Sequence, residues 1–279
     1  MTIGSVADYQ SALKRRIRYA KSGGDNTQLG GSFPTWFDMT PGAGDPGAIA
    51  APANTTSGTM PTRATSGYPD IGDLTGMHAY LSRVQFELAI QAGAGGNAGR
   101  LLLYDRLWDA GPFVTAGSPY TLSGQPSIAA RIPGGTDYSG LQLWGMGGGS
   151  NTNTTMVFTY TNQAGTTGRT TPSFTPGYFL AGSTNPKWGA YLIPLQAGDT
   201  GIQKVESVTL TGASNNCNLM IIRPLWMGPV NVGSVTLEHG ILRTGLPEVF
   251  ADSALQVMAQ YNLVSVSNAL EMLIELAVK

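Results

Sequence analysis

The spacing of apolar and polar residues divides the chain into three stretches. In residues 5–21, SVADYQSALKRRIRYAK, the side chains of Tyr9, Leu13, Ile17 and Ala20 recur at steps of four, four and three, on one face of a helix. Ser5 suits the N-cap, Asp8 lies in the first turn, and SGG at 22–24 stops the pattern. The spacing predicts a helix over 5–21. Residues 22–75 have no period and are rich in Gly, Pro, Ser, Thr and Ala. Apolar anchors punctuate them: Phe33, Trp36, Phe37, Met39, Ile49, Met60, Tyr68 and Ile71. This reads as an extended arm ordered by wrapping a surface, either its own core or a neighbouring subunit.

After Asp73 the period becomes two. In 77–92, MHAYLSRVQFELAIQA, the residues Val84, Phe86, Leu88 and Ile90 form an apolar face opposite Arg83, Gln85 and Glu87. GAGGNAG at 93–99 is a turn that matches neither a dinucleotide fingerprint nor a P-loop. LLLYDRLWDAG at 101–111 reads as the returning strand. Further strands are predicted at 113–123, 140–146, 155–162, 168–174, 188–195, 203–212 and 217–225, with a hairpin around Asn162 to Gly165. Residues 269–279 fit a helix or a strand. The alternation of Leu270, Met272, Ile274, Leu276 and Val278, after a similar run at 255–261, favours strands. The expected fold is all-β, a β-sandwich or jelly-roll-like domain with an N-terminal helix and a long extended arm. The division is 1–75 for helix and arm, and 76–279 for the sandwich.

Composition sharpens this. Charged residues make up 12% of the 279 and the net charge is -1, so no broad basic field faces nucleic-acid phosphates. The basic run that includes Arg15, Arg16 and Arg18 reads as a solvated helix end, or as an arm that docks on an acidic partner or nucleic acid. The 38 glycines suit turn-rich β structure better than a helical bundle. So sparse a charge suggests that partner subunits cover much of the surface. One cysteine, Cys217, excludes an internal disulfide and a multi-cysteine zinc site. No apolar run reaches 18 residues, so no membrane span is expected. The first 21 residues lack the apolar core of a signal peptide, and export by the ordinary secretory route is not expected.

Candidate chemistry is thin. Asp105 and Asp109 would share a strand face about 13 Å apart, too far for paired glycosidase carboxylates, with Arg106 pointing the other way. They read as charges near a strand end. His78 and His239 show no metal-ligand spacing, no serine sits in a nucleophile elbow, and Cys217 enters an apolar strand as a buried thiol. The tryptophans Trp36, Trp108, Trp144, Trp188 and Trp226 could form a sugar platform but more commonly pack in cores and interfaces. No enzyme, cofactor or metal is expected.

The stretches GTMPTRATSGYPDIGD, LLLYDRLWDAGPF, YTNQAGTTGRTT, IPLQAGDTGIQKVESVTLTGA and RTGLPEVFADSAL together resemble a family of tailed-bacteriophage virion structural proteins, over residues 30–260. The resemblance implies a capsid decoration, cement or minor capsid protein, assembled in the host cytoplasm and located in the virion. Its implied partners are the major capsid protein and copies of itself, as a homo-oligomer such as a trimer. Arg15, Arg16, Arg18, Phe33, Trp36, Phe37 and Tyr68 are the candidate subunit or capsid contacts. Deleting 22–75 would then leave a folded sandwich that no longer binds capsids. The alternative is a tail adaptor or receptor-binding module that contacts a host surface glycan.

Overall fold

A computed structural model describes residues 3–27, 35–38, 43–46, 49–90, 99–147, 154–175, 189–212, 217–230, 236–261 and 265–279. Helix α1 (Val6–Ser11) is followed by strands β1 (Leu13–Thr27), β2 (Thr35–Asp38), β3 (Ala43–Asp45), β4 (Ala79–Ile90), β5 (Gly99–Phe113) and β6 (Tyr120–Thr121). Then come β7 (Gln142–Gly147), β8 (Thr154–Asn162), β9 (Arg169–Thr170), β10 (Gly189–Leu192), β11 (Ile202–Gly212), β12 (Cys217–Val230) and β13 (Leu237–His239). Helix α2 (Ile241–Thr244), β14 (Glu248–Val249), β15 (Leu255–Tyr261) and β16 (Ser265–Val278) complete the order.

The fold is all-β and sandwich-like. Strands β10, β2, β15, β5, β12 and β7 close into a barrel. Its lumen is filled by Leu102, Tyr104, Trp144, Met146, Met220, Ile222 and Met258. Two sheets flank it. One, in the order β13-β4-β16-β1-β3, buries Ile17, Phe86, Met272 and Ile274 against Leu101, Leu103 and Val257 of the barrel. The other, β6-β11-β8-β9, buries Phe158, Val208 and Leu210 against Leu107, Leu143 and Ile221. Strand β5 therefore has cover on both faces, which explains its continuous apolar run.

The predicted helix over 5–21 is corrected. Ser5 caps α1 through its hydroxyl as expected, but the chain is already extended at Ala12. Residues 13–27 pair antiparallel with β16, from Leu13 opposite Val278 to Thr27 opposite Ser265. Ile17 and Tyr19 alternate inward while Arg16 and Arg18 face out, and burial against the barrel outweighs the helical spacing. The strand reading of the C-terminus holds: β16 sits between β1 and β4. The predicted strand over 113–123 is mostly turn: Phe113 ends β5 opposite Cys217, a 3-10 turn follows at Thr115–Gly117, and Tyr120–Thr121 pair with β11. At the predicted hairpin, the Asn162 side-chain oxygen accepts from Ala164 and Thr166 backbone N–H groups.

The described parts of the arm lie on their own core. Strand β2 closes the barrel between β10 and β15, and β3 extends the first sheet beside β1. Tyr68, Ile71 and Leu74 are buried, and Ile17, Tyr19, Ile71 and Leu74 share one cluster with β4, β15 and β16. Packing is continuous across residue 75.

Candidate functional site

LLLYDRLWDAG carries a charge cluster in mid-strand, not at a strand end. Asp105 and Arg106 are wholly buried and Asp109 is 6% exposed. The register explains the geometry. Ile221 faces Trp108 and Ile222 faces Arg106, so Leu107 is an extra residue in a bulge. The bulge reverses the alternation and brings Arg106 Nε within 2.9 Å of Asp109 Oδ2. The expectation that Arg106 points away from the aspartates fails for this reason.

Asp105 is held from four directions. Arg131, itself buried, forks onto its carboxylate; Ser253 Oγ donates to it at 2.7 Å and the Ala254 backbone N–H at 2.8 Å. Arg223 lies 3.9 Å away, donates to the Glu248 carbonyl at 2.7 Å, and stacks 4.7 Å from the Phe250 ring. Burial lowers the Arg223 pKa, with Asp105 opposing that shift. Arg131, Arg223 and Ser253 come from separate segments with no shared motif, so nothing local in the sequence announced them.

The same cluster fastens the arm. Thr59 exchanges both backbone hydrogen bonds with Asp109, at 2.7 and 2.9 Å, and its hydroxyl donates to the Asp109 carboxylate at 2.5 Å. Arg131 also donates to the Pro61 carbonyl. The Trp108 indole N–H donates to the Ser57 carbonyl at 3.0 Å, and Gly58, at φ +66°, lies against that indole. Chemically this is a fastening: every described contact of the Asp105 and Asp109 carboxylates goes to arginine, hydroxyl or backbone N–H.

The candidate contact residues fall in different places. Arg15 donates to the Ile71 and Asp73 carbonyls, at 2.7 and 3.1 Å, and so holds the arm. Arg16 pairs with Glu275 at 3.4 Å and Arg18 with Glu271 at 3.0 Å on the outer face of the first sheet. Arg83 joins Glu275 from the other side at 2.9 Å, giving an Arg16–Glu275–Arg83 row across three strands. Arg16 and Arg18 are thus matched by the acidic residues of β16 rather than gathered at a helix end. Tyr68 is buried in the protein's own interior. Trp36 packs edge-on to Trp144, with ring centroids 5.8 Å apart, and Phe37 is in β2. Phe33, Trp188 and residues 93–98 of the glycine-rich turn lie outside the described residues.

Trp108, Trp144 and Trp226 are at most 4% exposed and form no surface platform. Cys217 is buried beside Tyr191 Oη at 3.3 Å, and burial pushes its thiol up to about 12. A second polar cluster staples the hairpin after β8: Asp199 accepts from Tyr160 at 2.6 Å, Asn162 at 2.7 Å and Arg169 at 2.9 Å. Burial raises its carboxyl, but these bonds outweigh burial and hold it at about 2. Among the described residues no group of three or more His, Cys, Asp or Glu side chains is placed to hold a metal ion, and no helix is long and apolar enough to cross a membrane.

The chain matches no protein-family model and no curated protein sequence. Among solved structures it is similar to that of infectious bursal disease virus Gx strain, with 9% identity, a TM-score of 0.20, and coverage of 95% of this chain and 80% of that one. It is also similar to the crystal structure of the infectious bursal disease virus VP2 subviral particle, with 10% identity, a TM-score of 0.21 and the same coverages. Superpositions at this level carry no argument about this chain.

Proposed function

We propose that this chain is a non-enzymatic structural subunit of a virus particle, which binds the major capsid protein and copies of itself on the capsid of a tailed bacteriophage as a decoration, cement or minor capsid protein. The sequence resemblance over 30–260 supports the viral setting. The observation that carries the structural role is the use made of the buried charges. Asp105, Arg106, Asp109 and Arg131 join β5, the arm and the 253–254 turn into one body. A buried carboxylate with all its described partners engaged in holding backbone is poorly suited to proton transfer or nucleophilic attack. Against the glycan-binding alternative, three of the tryptophans that motivate it, Trp108, Trp144 and Trp226, are packed inside. Quantitative mass spectrometry of purified particles from the virus encoding the chain tests the reading. A copy number commensurate with the shell lattice is expected; absence from washed particles contradicts it.

A further inference from the structure

The edge of the first sheet is closed by a short strap. Strand β13 pairs three residues with β4, placing Leu237, Glu238 and His239 opposite Phe86, Gln85 and Val84. Helix α2 follows at once and ends in a backbone reversal, with Gly245 at φ +69° and Leu246 at φ +51°. Leu246 is the one described residue other than glycine with a positive φ, a conformation that a bulky side chain resists. Beyond this hinge the chain is anchored again. The Pro247 carbonyl accepts from the Leu81 backbone N–H at 3.0 Å, and β14 pairs with Tyr80 and Ala79 of β4.

His239 fastens the near end. Its ring lies edge-to-face with Phe86 and Trp226, with centroids 5.9 and 5.2 Å away. Both His239 and Trp226 are buried, and neither His239 Nδ1 nor Trp226 Nε1 has a hydrogen-bond partner among the described residues. The space is full: a Cβ on Gly228 of β12 would lie 2.2 Å from the Trp226 ring and 2.9 Å from the His239 ring. Such a site suits a neutral imidazole and penalises an imidazolium. The charged groups around it offer no relief. Arg243 of α2 repels a proton there. Glu238 of β13 pairs with Arg83 of β4 at 3.4 Å, and Arg83 is held in turn by Glu275 of β16. Strand β12 brings Trp226, Met227 and Gly228, which carry no charge. The other histidine, His78, lies on the anchored side, 2.7 Å from Glu248. Burial, and then Arg243, holds the His239 imidazole below its ordinary value of 6.5.

We infer that residues 237–246 are an acid-released strap: a proton on His239 detaches β13 and α2 from β4 and uncovers Phe86 and Trp226, while Pro247 and β14 hold the far end. Once detached, the imidazole titrates in water at its ordinary value. Opening is therefore favoured as pH falls through about 6.5, by up to about tenfold per pH unit for one proton. The reversal at Leu246 is free to relax in the same movement, so the hinge favours opening as well. The device does not depend on the virion role.

Hydrogen–deuterium exchange of the full chain from about pH 7.5 to about pH 5, corrected for the pH dependence of free amides, tests it. In the wild type, protection of 237–246 should fall by up to about tenfold per pH unit below about 6.5, while β1 and β16 keep theirs. His239→Phe and His239→Gln cannot take the proton, so each should show strap protection that does not change with pH, whatever its level. Level protection of the strap in the wild type, an equal loss in β1 and β16, or a fall in both variants as large as the wild type's overturns the inference.

Discussion

At Gly58 a Cβ would lie 2.2 Å from the Trp108 indole nitrogen, at a φ of +66° that side chains resist. Gly58→Ala should cost about 2 kcal/mol or more in urea unfolding, since neither the backbone nor the buried ring can give way cheaply. Asp105→Ala leaves the buried guanidinium groups of Arg131 and Arg223 without the carboxylate they face, and a loss of about 3–5 kcal/mol is expected. The Arg18–Glu271 pair is the contrast. Its side chains are 59% and 64% exposed, so Arg18→Ala should change stability by less than about 1 kcal/mol. Equal losses for Asp105→Ala and Arg18→Ala in the same titration would contradict the distinction between fastening and surface pairs. The sequence showed Asp105, Arg106 and Asp109 as residues worth asking about. It could not show that a bulge at Leu107 pairs two of them, because a bulge depends on the partner strand.

At the scale of elements, period-two patterns were legible where one face packs and the other is more open, as in β4, β8, β11 and β16. Residues 5–21 misled because both periods fit Leu13 and Ile17, and the competitor that decided was the remote β16. The polar clusters give the elements distinct pH responses. Asp199 is depressed to about 2, so its contribution to the β8 hairpin is complete above the ordinary carboxylate range near 3.8 and is lost as pH falls through about 2. Amide exchange across 160–171 should accelerate over that window, and Asp199→Asn should remove the dependence. His239 is lowered by burial and then by Arg243, and it packs between Phe86 and Trp226. Its neutral form is favoured in the fold, so stability should rise with pH through the imidazole range near 6.5 and fall below it. Unfolding free energy that stays level through that range, once compared with His239→Gln, would remove His239 from the account.

For the whole molecule, the arm changes meaning. A separable arm predicts that deleting 22–75 leaves a folded sandwich. The structure predicts otherwise, because that deletion removes β2 from the barrel, Thr59 and Pro61 from the charge cluster, and Ile71 and Leu74 from the core. Each buried aliphatic side chain is worth roughly 1.5–3 kcal/mol, so the truncated chain should be insoluble or unfolded rather than folded and inert. The all-β class and the arm's anchors could be read from the sequence; the direction in which the arm folds could not, since apolar anchors look the same whether they dock at home or on a neighbour. The virion role is tested most directly by cryo-electron microscopy of particles from the virus that encodes this chain, at side-chain resolution. Density for this barrel and its two sheets should repeat over the head lattice, between or above the capsomers. Density confined to the tail or a single vertex, or none at all, would contradict the role proposed here.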